Sequence, residues 1–295
     1  MQKPIKGSHY LPRTYLKHFL LDDKLFMYKK GKRFFEDELK AEQRIIEVLG
    51  EKGLNNVAKE SNLYRIEAKD IDPNFVENLF REMVEDDLDK IIGEIKSKKI
   101  GDEIGKELKE RLCWFMSIMR FRTPHFKSEL DEMSRVWNNR EKAVNRIKSS
   151  LPKKYSSNND FLKSALSFIA PFEEIFYSMK MQILKAREGR YFITSDNPVV
   201  YFVPEEKVDF YNQYKSLVSP FTQVFFDLTK DYAIHLCRRR DIQERFIHGK
   251  RENVDIFNYN ISHNSKDFLF SPIKMEFLNQ FIEEYIPYPF KLESS

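Results

Sequence analysis

The sequence predicts an α+β fold, with a predominantly helical first half (about 1–187) packed on a small, mostly antiparallel sheet in the second half (about 188–295). Three observations lead there. Between about 72 and 121, apolar residues recur at the 3.6-residue period of amphipathic helices. After about 190 the pattern turns extended, in Tyr191-Phe192-Ile193-Thr194 and Val199-Val200-Tyr201-Phe202-Val203. Farther on, two apolar runs at 224–228 and 232–237 flank Thr229-Lys230-Asp231 as the arms of a hairpin would. Helices first and strands later is the α+β order. The 295 residues are read as a single domain, 1–295.

Taken in order, residues 1–20 carry two prolines and then Tyr15-Leu16-Lys17-His18-Phe19-Leu20, an extended entry followed by a short helix. Leu25-Phe26-Met27-Tyr28 and Phe34-Phe35, around a basic turn, read as a small hairpin. The clearest helix starts at Asp72-Pro73, an N-cap followed by proline at the first helical position. Val76, Leu79, Phe80, Leu88, Ile91, Ile92 and Ile95 give it one broad apolar stripe. Glu82, Glu85, Asp86 and Asp89 point away from that stripe and are expected in water. Glu77 and Asp87 fall within it, so each must reach water at the rim or meet a partner such as arginine.

The next helix, about 102–121, is apolar all round in its second half, Leu112-Cys113-Trp114-Phe115-Met116-Ser117-Ile118-Met119, and is therefore buried on all sides. It stops before Thr123-Pro124 because the residue preceding proline is disfavoured in a helix. Arg122 lies on its core-facing line; a guanidinium there cannot shed its charge and needs a carboxylate or a bound anion. Arg120 is read structurally as a cation serving the helix C-terminus. A charged helix at 127–150, a linker at 152–160, a long helix at 161–187 kinked or broken at Pro171, helical patterns at 241–264 and a short helix at 275–285 complete the expectation.

Composition narrows the function. With 26 Phe and 14 Tyr against 9 Gly, the core should be well built, and the few glycines argue against a glycine-rich phosphate loop; no nucleotide-binding fingerprint occurs. A net charge of +4 fits a solvated mixed-charge surface first, and nucleic acid or another phosphate-bearing partner second. Cys113 and Cys237 read as small core hydrophobes, not a disulfide framework. No secretory h-region and no membrane-length apolar run is present, so a soluble cytoplasmic protein is expected.

His9-Tyr10-x-Pro12-x-x-Tyr15-Leu16-x-x-Phe19, Arg122-Thr123-Pro124, Phe192-Ile193-Thr194-Ser195-Asp196-Asn197-Pro198-Val199, and Asn260 ahead of Phe268-Leu269-Phe270-Ser271 occur in that order along nearly the whole chain. Together they resemble a bacterial family known as domain of unknown function 4238. The resemblance implies one contiguous domain and a prokaryotic cytoplasmic protein, and it brings no activity. Phe226-Asp227-Leu228-Thr229 departs from it, standing where a proline-leucine-serine-proline-like stretch is expected.

The residues nominated as catalytic are His9, Arg122 and Asp196; those nominated for binding are Tyr10, Arg120, Thr194, Ser195, Asn197 and Asn260. His9 has a side chain whose pKa suits general acid-base work, or it staples the N-terminal segment to the domain. Asp196 sits at a strand end, where carboxylates are rigidly placed, or it bonds its own turn. The six histidines show no zinc spacing and no metal site is assigned; Mg2+ is the ion Asp196 could hold with Glu77 or Asp87. Two classes of function follow. One is a nuclease-like phosphodiesterase, with His9 as acid or base, Arg122 and Arg120 clamping phosphate, and Asp196 orienting His9 or holding a metal. The other is a non-catalytic binding or sensor module in which the same residues form a polar staple, with Asp196 as the expected partner of Arg122.

Overall fold

The computed structural model describes residues 7–30, 45–61, 63–64, 74–129, 158–204, 217 and 219–278. A two-residue strand, β1 (Ser8–His9), runs through Pro12 into the short helix α1 (Arg13–Leu16). Strands β2 (Lys24–Lys29) and β3 (Ile45–Leu49) pair antiparallel, and β4 (Lys59–Glu60) returns to lie antiparallel to β1, with His9 opposite Lys59. A helical ridge follows: α2 (Phe75–Phe80), a π-helical turn at Arg81–Glu85, and α3 (Asp86–Ser97). Helices α4 (Lys106–Phe121) and α5 (Asn158–Ser178) pack along each other. The remainder is β5 (Lys180–Ala186), β6 (Thr194–Ser195), β7 (Val199–Phe202), β8 (Gln223–Asp227), β9 (Tyr232–Cys237), β10 (Arg245–Gly249), α6 (Arg251–Asn264) and β11 (Phe268–Ser271).

The mixed α+β content is as the sequence predicts, but its layout is less segregated. One sheet has five strands in the order β10-β5-β9-β8-β7, antiparallel except where β10 runs parallel to β5. A second has four antiparallel strands, β3-β2-β11-β6, so the first fifty residues supply half of a sheet that the end of the chain completes. Strand alternation on β8 explains how the layers meet. Phe226 stacks on Tyr15 (5.8 Å between ring centroids) and meets Phe115 of α4 (5.6 Å). Its neighbour Phe225 points to the other face and stacks on Phe257 of α6 at 4.1 Å. The five-stranded sheet is thus held between α1 and α4 on one side and α6 on the other.

Several boundaries move. The helix read at 161–187 ends at Ser178, and Lys180–Ala186 is a strand between two partners. The helix read from 241 begins at Arg251, because Arg245–Gly249 pairs with β5. Helix α4 starts at Lys106 and not at 102. Of the run 191–194, only Thr194 enters a strand, paired with Phe270. Strand β2 has both edges occupied, by β3 and β11; Phe34 and Phe35, read as its partner, lie outside the described residues, as do Asp72-Pro73, the linker up to 157, most of the 127–150 helix and everything after 278. The all-round burial of the second half of α4 holds except at Trp114, which is partly buried, and Cys113 and Cys237 are buried free thiols. No helix among the described residues is long and apolar enough to cross a membrane.

Candidate functional site

The structure places Arg122 just past α4, where its backbone N–H still bonds Ile118 at 3.0 Å and φ −82°, ψ 1° turn the chain out of the helix. The side chain is 1% exposed. Its Nη2 donates to the His9 carbonyl at 2.7 Å and stands 3.9 Å from Glu85 Oε1. The guanidinium also lies over the Phe80 ring at 5.4 Å and the Tyr64 ring at 5.8 Å, while the Tyr64 hydroxyl donates to the Arg122 carbonyl. Its Nε and Nη1 have no hydrogen-bond partner among the described residues.

The expected Arg122–Asp196 pair does not form. Asp196 instead accepts three backbone N–H groups, from Lys266 (2.8 Å) on Oδ1 and from Asp267 (2.5 Å) and Phe268 (3.1 Å) on Oδ2. It anchors the chain as it enters β11. Burial raises its pKa, and the three N–H groups oppose that shift. The arginine found its carboxylate elsewhere for a geometric reason. Glu85 was placed in water by a uniform 3.6-residue period, but the π turn at Arg81–Glu85 inserts an extra residue and resets the phase of the ridge. Glu77 and Asp87 resolve as the sequence required: Asp87 meets Arg111 at 3.1 Å near the rim, and Glu77 is half-buried beside Ser8 and Arg122. Burial raises the Glu77 pKa, against the Ser8 hydrogen bond and the Arg122 charge.

His9 Nδ1 lies 3.1 Å from the Val57 carbonyl, which can only accept, so the proton sits on Nδ1 and Nε2 keeps its lone pair. Burial first, then Lys59 and Arg13, and more weakly Arg122, lower its pKa from 6.5 to about 4. The ring is therefore neutral at pH 7. Tyr10 is buried beside it, and its phenol is held protonated by burial and by the Asp196 and Asp267 carboxylates.

Arg120 belongs to a neighbouring cluster and does not simply serve the helix C-terminus. Its Nη1 donates to Asn197 Oδ1 at 3.3 Å, its Nη2 pairs with Glu129, and its guanidinium lies 5.4 Å from the Tyr201 ring. Glu129 also meets His125 at 3.2 Å, and Asn197 Nδ2 donates to the Asn264 carbonyl at 3.0 Å. Ser195 Oγ bonds both the carbonyl and the N–H of Asn197, closing the turn. Thr194 donates to the Tyr15 hydroxyl at 2.8 Å, which in turn donates to the Asp227 carbonyl at 2.5 Å. Asn260 bonds within α6, to the Ile256 carbonyl; Asn258, two residues before it, ties that helix to Ile193 and Tyr191.

Sequence reasoning missed Tyr64, Glu129 and Asp227. For Tyr64 and Glu129 there was no signal. Asp227 had one: it is a carboxylate at the end of Val-Phe-Phe in an apolar strand, and it is fully buried with neither carboxyl oxygen bonded among the described residues. No group of three or more histidine, cysteine or carboxylate side chains suited to a metal occurs among the described residues. A cleft of about 430 Å³ opens at one end of the five-stranded sheet, and none of the nominated residues lines it.

The order of motifs that suggested a family is matched by comparison: a family model described as "Protein of unknown function (DUF4238)" matches residues 8–274. No curated protein and no solved structure matches the chain.

Proposed function

Since the chain belongs to the DUF4238 family, whose description assigns no activity, we propose from the geometry alone that it is a non-catalytic binding or sensor module, in which His9, Arg122 and Asp196 serve a structural polar staple. One observation carries this reading. Each of the three motif segments is bonded to the other two: Arg122 to His9, Arg120 to Asn197, and Tyr15 to Thr194. Arg122 is spent on a backbone carbonyl, Arg120 on an amide and Tyr15 on a hydroxyl, while both carboxylate oxygens of Asp196 are engaged by three backbone N–H groups. A side chain so engaged is poorly placed to bind metal or orient a histidine.

The test combines stability and turnover. Asp196→Ala leaves three backbone donors without their acceptor and should cost about 3 kcal/mol or more in a urea melt. Wild-type protein incubated with RNA or DNA, with and without Mg2+, should leave both intact. Cleavage that disappears in a folded His9→Ala variant would overturn the staple reading in favour of a nuclease-like hydrolase. That second reading has one observation in its favour: the free Nε2 lone pair of His9 lies in the field of Lys59 and Arg13, cations suited to a phosphate.

A further inference from the structure

The cleft at the end of the five-stranded sheet is built by segments remote in sequence. Its floor is where β5 ends and β9 begins, its rim is the 187–190 turn, and Lys96 at the end of α3 closes one side. Backbone bonds fix these walls: Ala186 N–H to the Asp231 carbonyl (2.8 Å), Phe192 N–H to the Lys230 carbonyl (2.9 Å), and Arg190 N–H to the Arg187 carbonyl (3.0 Å). The last closes a turn in which Gly189 takes φ +74°, a conformation that suits glycine. The cleft is therefore preformed.

Its charge is lopsided. Lys96, Lys185, Arg187, Arg190 and Lys230 face two carboxylates, Glu188 and Asp231. Lys230 is already paired with Asp231 at 2.6 Å. Lys96, Lys185, Arg187 and Arg190 have no ion pair among the described residues. On a chain of +4 net charge, four cations outside any ion pair against the one remaining carboxylate, Glu188, are a concentrated positive field around one concavity, eased only at Lys185 by the Tyr232 ring at 5.8 Å, and their mutual repulsion is relieved by a bound anion. Half-buried Tyr191 adds an aromatic wall. A volume of about 430 Å³ falls within the range of small-molecule sites.

We propose that this cleft binds a phosphorylated small molecule of nucleotide size, with Arg187 and Arg190 on the phosphate and Tyr191 beside the organic part. Guanidinium groups suit phosphate oxygens because their planar fork donates two parallel hydrogen bonds. The site is separate from the His9–Arg122–Asp196 staple and does not depend on how that staple is read.

Calorimetric titration of the full chain with ATP, pyrophosphate, inorganic phosphate and a short single-stranded oligonucleotide tests it. ATP should bind saturably, more tightly than inorganic phosphate, and lose at least ~tenfold in affinity in the Arg187→Glu, Arg190→Glu double variant. The charge-matched control Lys24→Glu, Arg251→Glu, outside the cleft, should bind ATP as the wild type does. Should the reversal fail to fold by circular dichroism, Arg187→Gln with Arg190→Gln makes the same comparison. The proposal is overturned by absence of saturable ATP binding or by equal losses in the cleft and control variants. It is equally overturned if inorganic phosphate binds as tightly as ATP, or if the oligonucleotide binds more tightly and is the ligand the cleft variant loses.

Discussion

A guanidinium keeps its charge wherever the chain carries it, so Arg122 at 1% exposure obliges the residues around it to answer for that charge. They do so with the His9 carbonyl, Glu85 and two aromatic faces, and it is the backbone of His9, not its imidazole, that receives the guanidinium. Asp227 is the opposite case, a buried carboxyl that nothing among the described residues answers. Burial pushes its pKa well above the ordinary 3.8. With the folded value above the unfolded one, folding favours the protonated form. Stability is therefore complete below about pH 3.8 and is lost as pH rises through the folded value. Asp227→Asn keeps the shape and removes the ionisation. It should stabilise the protein by on the order of 1–3 kcal/mol at pH 7, with the gain vanishing near pH 3–4. Urea melts at the two pH values check this; a loss of stability of equal size at both would mean the carboxyl is engaged after all.

At the scale of elements, what was legible followed from local pattern and what was not followed from pairing. The all-apolar half of α4, the 224–237 hairpin and the stripe from Val76 to Ile95 were readable because their periodicity is internal to the segment. Lys-Met-Gln-Ile-Leu-Lys-Ala of β5 is composed mostly of good helix formers, and it is a strand because β9 and β10 lie on its two sides. Strand β10 owes its existence to the same partner. The site was legible in part for the same reason: the residue types and the need of Arg122 for a partner could be read, whereas a π turn that swings Glu85 inward could not. Pro171 is a local anomaly that tertiary structure overrides, since α5 runs from Asn158 to Ser178 through it. Proline there lacks the N–H for the i−4 carbonyl and is exposed, so nothing buried depends on its ring. Pro171→Ala should raise stability by about 2 kcal/mol, the helix-propensity gain less the entropy that proline removes from the unfolded chain. A thermal melt that fails to rise would show that Phe168 and Phe172, which pack on Phe121, need the interrupted geometry.

Across the whole molecule, one continuous hydrophobic cluster extends from Tyr10 to Phe270, and both ends of the described chain meet in the four-stranded sheet. Titration of any group inside this structure is therefore felt as global stability. His9 and His235 are both lowered from 6.5 to about 4: His9 by burial and the cations around it, His235 by burial and then Arg239. His18 is lowered too, by burial, against the pull of Asp89 at 2.8 Å. The unfolded chain takes up these protons near pH 6.5, whereas the folded chain refuses the first two until about 4. Stability should thus be complete above about 6.5 and decline as pH falls toward about 4. Such a shift is worth at most on the order of 3 kcal/mol per histidine, and less for His9, whose ring is part-exposed. Asp227 slopes the other way over part of the same range, so the informative quantity is the difference between proteins. His9→Gln with His235→Gln should flatten the decline of the melting temperature between pH 6.5 and 4 relative to wild type. Parallel curves for the two proteins would show that these imidazoles gain their protons as freely folded as unfolded. His9 would then be an ordinary exposed histidine, and no longer a neutral ring held under the N-terminal arm.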